Sequence, residues 1–196
     1  MPWNGENDMN REEAPMHGRG PYFDIAAGKL LGRTGLMIVE IGTTRGESAK
    51  GDGNSTPFFA WIARETGSRL VSVDVDPEAA KVCRKVLDRH GLDAELVTGD
   101  GLLFLRDWKG PKIDLLYLDA WDWQDPHKEL SEKKHLLAFA LSERHLADQA
   151  IIMFDDTIDI KGDQYIGKGR LAIRYLRGTG KYAAIFEGYV CGYVKL

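Results

Sequence analysis

Short apolar runs alternate along this chain with longer stretches in which apolar positions recur every three or four residues. Residues 36 to 41, Leu-Met-Ile-Val-Glu-Ile, are β-branched, apolar except for one acid, and bounded by glycine, which predicts a buried strand. Leu70–Val75, Ala94–Val97, Ile113–Leu118 and Ala150–Phe154 repeat the pattern as second to fifth strands. Helical spacing fills the intervals. Pro21–Leu31 carries Phe23, Ala26, Ala27, Leu30 and Leu31 on one face, and Pro77 opens a helix that His90 and Gly91 close. Thr56 before Pro57 has the form of a capping hydroxyl followed by proline at the first helical position, with the helix running to about Glu65 and stopping at Thr66-Gly67. A helix through Leu105, a long amphipathic helix or helix pair over 127–147, and a helix over Arg170–Leu176 follow. A polar loop separates the fifth strand from the last helix. Lys181–Leu196 then gives two β-rich runs around Glu187-Gly188, a hairpin. Strands alternating with helices imply an α/β fold with a mostly parallel sheet.

Composition narrows the class. The 196 residues suffice for one domain with a sizeable core, and 43% hydrophobic content belongs to a globular chain. Residues 1–20 are polar and read as a flexible N-terminal arm, with Trp3 and Met16 either capping a pocket or lying in a loose tail; residues 21–196 read as a single domain. The formal charge of -4 argues against a general nucleic-acid binder. No apolar run reaches membrane-spanning length, and no signal segment is visible at the start. Two distant cysteines, Cys83 and Cys191, fit a reducing compartment, so a cytoplasmic protein is expected.

Candidate chemistry gathers where the strands end. Gly42 and Gly46 follow the first strand and allow a ligand to approach the main chain. Neither the phosphate loop nor the dinucleotide fingerprint is present: no lysine follows Gly46, and Thr44 stands where a second glycine belongs. Asp74, at the end of the second strand, is placed to accept bonds from both hydroxyls of a ribose or to cap the next helix, a task that suits Asp76 before Pro77 better. Asp100, after the third strand, is placed to cap the next helix. Asp119 ends the fourth strand, and Asp155 and Asp156 end the fifth. Like charges at ~4 Å cost roughly 4 kcal/mol per pair at an effective dielectric near 20, so such a trio asks for a cation or a proton, unless the acids point apart. All-oxygen donors suit Mg²⁺. His135 and His145 fall in helical apolar patterns and read as structural. Lys168, Arg170, Arg174, Arg177 and Lys181 form a basic stretch that reads as a solvated helix face in preference to a holder of an acidic substrate or a phosphate.

Glu40, Gly42, Gly46 and Ser48, in the pattern E-x-G-x-x-x-G-x-S, resemble the first motif of class I S-adenosylmethionine-dependent methyltransferases of the catechol O-methyltransferase type. Five βα units closed by an antiparallel hairpin are the order of that fold, so the likeness, which spans about residues 36–196, implies a Rossmann-like three-layer sandwich with a seven-stranded sheet. It implies that S-adenosylmethionine is bound by the loop carrying Glu40, Gly42, Thr43, Gly46 and Ser48, with Asp74 on its ribose, Asp100 near its adenine, and Asp119 and Trp121 beside it. It also implies Mg²⁺ on Asp119, Asp155 and Asp156, the acid–acid pair matching the antibiotic- and macrolide-modifying relatives. Residues from Lys50 to Asn54 form a local insertion relative to the family. Where the family places a lysine or histidine as general base, this chain has Asp122; His127 is the other candidate for the proton. The expected activity is Mg²⁺-assisted O-methylation of a small molecule, a diol or catechol-like hydroxyl pair, with neither nucleic acid nor membrane as partner and a homodimer left open. A non-catalytic S-adenosylmethionine-binding module and a nicotinamide-dependent oxidoreductase are the alternatives. A base-directed amino methyltransferase lacks its [DN]-P-P-[YF] motif here.

Overall fold

The computed structural model describes residues 18–46, 54–161 and 164–196. Strand β1 (Met37–Ile41) lies inside a seven-stranded sheet between β2 (Arg69–Asp74) and β4 (Ile113–Leu118). β3 (Glu95–Thr98) flanks β2, and β5 (Leu146–Phe154) flanks β4, all in parallel. β9 (Cys191–Lys195) pairs antiparallel with β5, and β8 (Tyr182–Phe186) forms the edge beyond it, giving the order β3-β2-β1-β4-β5-β9-β8. This is the expected Rossmann-like three-layer architecture with its closing hairpin.

Burial on both faces explains the near-continuous apolar strands. Helices α1 (Gly20–Leu30), α2 (Ser55–Glu65) and α3 (Pro77–Arg89) pack on one face around Phe23, Phe59, Ile38 and Leu115. Helices α4 (Gly101–Arg106), α5 (Lys128–Ser142) and α6 (Arg170–Thr179) pack on the other around Val39, Leu116, Phe139 and Ile173. Alternate residues of β1 therefore serve separate cores, and Glu40, two residues from Ile38, points to the α2 side.

Register sets the level of the strand tips. Ile41 lies opposite both Val73 and Leu118, and Leu118 lies opposite Phe154. The next residues, Gly42, Asp74, Asp119 and Asp155, consequently form one row along the carboxyl edge of the sheet. Bonds continue past the strands: Asp119 N–H donates to Ile41 O at 2.8 Å and Gly42 N–H to Val73 O at 2.8 Å. The strand order reverses between β1 and β4, where an open α/β sheet forms its crevice.

Some elements depart from expectation. The stretch read as a polar loop contains a two-stranded antiparallel ribbon, β6 (Thr157–Lys161) with β7 (Gln164–Gly167). The long helical region ends at Ser142 and passes through a 3₁₀ turn, Glu143–His145, and β5 starts at Leu146 instead of Ala150. Thr56 does not cap α2; Asn54 occupies that position with φ 46° and makes no side-chain cap bond, because the Thr56 hydroxyl is committed to the site below. No helix among the described residues is long and apolar enough to cross a membrane.

Candidate active site

A cleft of about 600 Å³ runs along the carboxyl edge of the sheet, lined by residues following all five parallel strands. Gly42 makes its floor. With φ +97° and a hypothetical Cβ only 2.7 Å from Asp119 O, this position admits no side chain, so the β1 and β4 loops can touch. Thr43 N–H donates to Asp74 Oδ2 at 3.0 Å, and Asp76 N–H donates to Asp74 Oδ1 at 2.9 Å. These bonds aim the Asp74 carboxylate while each oxygen keeps further acceptor capacity. Asp76 caps α3 through Glu78 N–H. Asp100 caps α4, with Oδ1 accepting from Leu102 and Leu103 N–H, and also lines the cleft, so both of its expected roles are compatible.

Glu40 is the first departure. It is fully buried and lines no part of the cleft; it accepts from the hydroxyls of Thr56 and Ser72. Thr56 Oγ1 also accepts from Thr44 N–H at 2.9 Å, so Glu40 braces the loop from behind and does not face a ligand. Burial raises its carboxyl to about 7, against the pull of hydrogen bonds from Ser55, Ser72 and Thr56. Thr43 does line the cleft, whereas Gly46 does not. Ser48 lies outside the described residues, as do most of the expected insertion at 50–54 and most of the arm, with Trp3 and Met16.

Trp121 lines the cleft from a left-handed backbone position, φ 54°. Its ring packs edge-on against His135 at 5.2 Å, and its carbonyl accepts from the Ser131 hydroxyl. His135 is fully buried, and burial lowers its imidazole to about 3, which keeps it neutral and structural. Asp122 stands at the exposed rim, 3.3 Å from Arg45. His127 occupies the exposed N-cap position of α5 and does not line the cleft, so the two base candidates are not brought together.

The acids of β4 and β5 do converge. Asp119, Asp155 and Asp156 each offer an oxygen within 4.8 Å of the others. Two protein cations already occupy this cluster. Lys168 Nζ lies 2.7 Å from Asp119 Oδ1 and 2.8 Å from Asp156 Oδ2. Arg19 Nε donates to both Asp155 oxygens at 2.8 Å, and its Nη2 reaches Asp156 at 3.1 Å. The Tyr189 hydroxyl donates to Asp156, and the Arg19 guanidinium lies 4.9 Å above the Tyr189 ring. Burial alone would lower the Lys168 ammonium, but Asp119, Asp156 and Asp155 outweigh it and hold Lys168 charged. Burial and the neighbouring Asp119 charge push the Asp155 carboxyl up against the pull of Arg19. Asp156 is held down, because Lys168 and Tyr189 more than offset its burial. Asp155 is itself fully buried and lines no part of the cleft. The donor set expected for Mg²⁺ is thus assembled, yet each of the three carboxylates is already paired with an ammonium or a guanidinium, and the residues as arranged do not fit a resident metal ion.

Sequence reasoning missed three residues of this site. Arg19 falls within the polar N-terminal stretch, and Tyr189, in the last hairpin turn, carries no local motif. Lys168 adjoins a basic helical stretch in sequence, but Gly167 and Gly169 on either side set it apart from that helix.

A family model described as a methyltransferase domain matches residues 39–157, more than half of the chain. No curated protein matches the sequence significantly. Among solved structures, a cofactor-bound protein from MTB is 23% identical with a TM-score of 0.62, the match covering 96% of this chain and 83% of that one. An O-methyltransferase from Bacillus cereus in complex with SAH is 19% identical with a TM-score of 0.60, covering 93% and 84%. An rRNA methylase from Streptococcus thermophilus is 18% identical with a TM-score of 0.56, covering 90% and 95%. At such identities the structural likeness carries the fold alone.

Proposed function

The chain belongs to the methyltransferase domain family and is a class I S-adenosylmethionine-dependent methyltransferase, and from that premise we propose that it methylates a hydroxyl oxygen of a small molecule. The observation that carries the proposal is the layout of one continuous cleft. Its β3–β1 side presents Asp100, Asp74 and the Gly42–Thr43 main chain, groups suited to adenine, ribose and a closely approaching backbone-bound cofactor. Its β4–β5 side presents Asp119, Asp156, Lys168 and Tyr189, a polar cluster suited to a hydroxyl. Five adjacent strand ends at ~4.8 Å spacing span roughly 19 Å, room for a cofactor and a small acceptor side by side. The volume is likewise that of a small-molecule site, for which about 300–1,000 Å³ is usual.

The sulfonium is already electrophilic, so the protein has mainly to align acceptor oxygen, methyl carbon and sulfur, which contributes roughly 7–11 kcal/mol through positioning. Gly42, Thr43 and Asp74 fix the cofactor side, and Trp121 forms part of the wall. Lys168 and Arg19 hold the carboxylates that Mg²⁺ would need, so activation of the acceptor falls to the protein's own groups. The chain carries a net charge of -4, which favours a small acceptor over a polyanion. Asp122 is the cleft-lining candidate for receiving the hydroxyl proton.

A panel of catechols, vicinal diols and simple phenols, assayed by release of S-adenosylhomocysteine with a short RNA alongside, tests the reading. Turnover with a hydroxyl compound and a product methylated on oxygen is expected. Transfer to nitrogen, or to the RNA and to no hydroxyl compound, would overturn it.

A further inference from the structure

We propose that Lys168 is the built-in cation of this active site, standing where the resembling metal-dependent enzymes use a divalent ion, so that this enzyme transfers its methyl group without metal. The inference deepens the hydroxyl-methylation reading and rests on it.

Three carboxylates within 4.8 Å of one another need positive charge. Lys168 supplies it from inside the fold. Its side chain is 2% exposed, and its Nζ bridges Asp119 and Asp156, the acids from two different strand ends that line the cleft. The position is built by the backbone. Lys168 N–H donates to Asp156 O at 3.1 Å. Gly167, at φ +103°, would drive a Cβ to 1.9 Å from the same carbonyl, and a Cβ on Gly169 would come to 2.5 Å from Thr157 Oγ1. Glycine on both sides of Lys168 lets the segment lie this close to the β5–β6 turn, and the segment delivers the ammonium to the acids. Arg19 meanwhile takes both oxygens of Asp155, so the third carboxylate is closed as well. Mg²⁺ demands near-octahedral oxygen ligands at about 2.0–2.1 Å. It would have to expel a buried ammonium and then share the site with a guanidinium.

The same arrangement gives Lys168 a task. An ammonium has three N–H donors. Two go to Asp119 Oδ1 and Asp156 Oδ2, and the third has only a 3.5 Å approach to Asp119 O. That donor can be given to the acceptor oxygen of a substrate in the cleft, favouring the alkoxide or phenolate form. The oxygen lone pair then forms a bond to the methyl carbon, the carbon–sulfur bond breaks with its electron pair going to sulfur, and the hydroxyl proton passes to Asp122 and from there to solvent at the open rim.

The test is calorimetric titration of Mg²⁺ and Mn²⁺ into EDTA-treated wild type and Lys168→Met, with S-adenosylmethionine titrated into each. Wild type should show no saturable metal site at millimolar concentrations. Lys168→Met should keep cofactor affinity within about threefold, gain a saturable metal site that adding Asp156→Asn removes, and lose methyl transfer at least 100-fold with partial recovery on adding Mg²⁺. A saturable metal site in wild type, abolished by Asp156→Asn, would overturn the proposal. So would a Lys168→Met protein that binds cofactor and gains no metal site. If Lys168→Met does not fold, the wild-type titration and the retention of full turnover in EDTA decide alone. Failure of wild type to bind S-adenosylmethionine would instead strike the functional reading itself.

Discussion

Glu40 is an acid at the centre of the sheet, and its environment converts a charge into a brace. Burial raises it to about 7 from an ordinary 4.5, so the folded chain binds a proton that the unfolded chain has released between those values. The sign follows: the stabilisation is complete below about pH 4.5 and is lost as pH rises through 7, by at most about 3 kcal/mol. His135 acts oppositely, since burial lowers it to about 3 and folding stability falls as pH drops below 6.5. Denaturant midpoints of wild type and Glu40→Gln between pH 4.5 and 8 separate the two. The histidine contribution is common to both proteins and cancels in the difference. Wild type should lose stability relative to Glu40→Gln as pH rises across this window, and a constant difference would contradict the assignment. The residue was legible as part of a cofactor motif, but its direction was not: strand alternation turns it away from the cleft, toward Thr56 and Ser72.

At the scale of elements, the carboxyl edge of the sheet was readable because each strand is a short apolar run that stops at Gly or Asp. That gave Gly42, Asp74, Asp100 and Asp119 their places beside one crevice. The β6–β7 ribbon was not readable, since Thr-Ile-Asp-Ile-Lys and Gln-Tyr-Ile-Gly are too short and polar to stand out from a loop. Its consequence was larger than its size: the ribbon returns the chain to Gly167-Lys168-Gly169, and only this return takes Lys168 out of a basic helix and into the acids. Arg19 is a similar case, one residue ahead of α1 and 136 residues from the carboxylate it clamps. Long-range ion pairs of this kind leave no local pattern. The β1 loop makes a sharper prediction. Gly42→Ala puts a methyl 2.7 Å from Asp119 O at a φ of +97°, which should cost roughly 1–3 kcal/mol and weaken S-adenosylmethionine binding at the same time. Thermal melts with and without cofactor check both, and an unchanged melt would mean the two loops are not held in contact there.

For the whole molecule, the sheet brings five strand ends to one row and thereby joins a cofactor side to an acceptor side in a single cleft. The fold follows from that order and the family from the match over residues 39–157, and the cleft is expected to bind S-adenosylmethionine with Asp74 as a principal contact. The most direct measurement is calorimetric titration of S-adenosylmethionine, and separately of NAD⁺, into wild type and Asp74→Ala. Wild type should show one saturable S-adenosylmethionine site and no binding of NAD⁺, and Asp74→Ala should bind S-adenosylmethionine at least tenfold more weakly, a loss of about 1.4 kcal/mol or more. Equal affinity in the folded Asp74→Ala variant, or no binding to wild type at all, would contradict this reading.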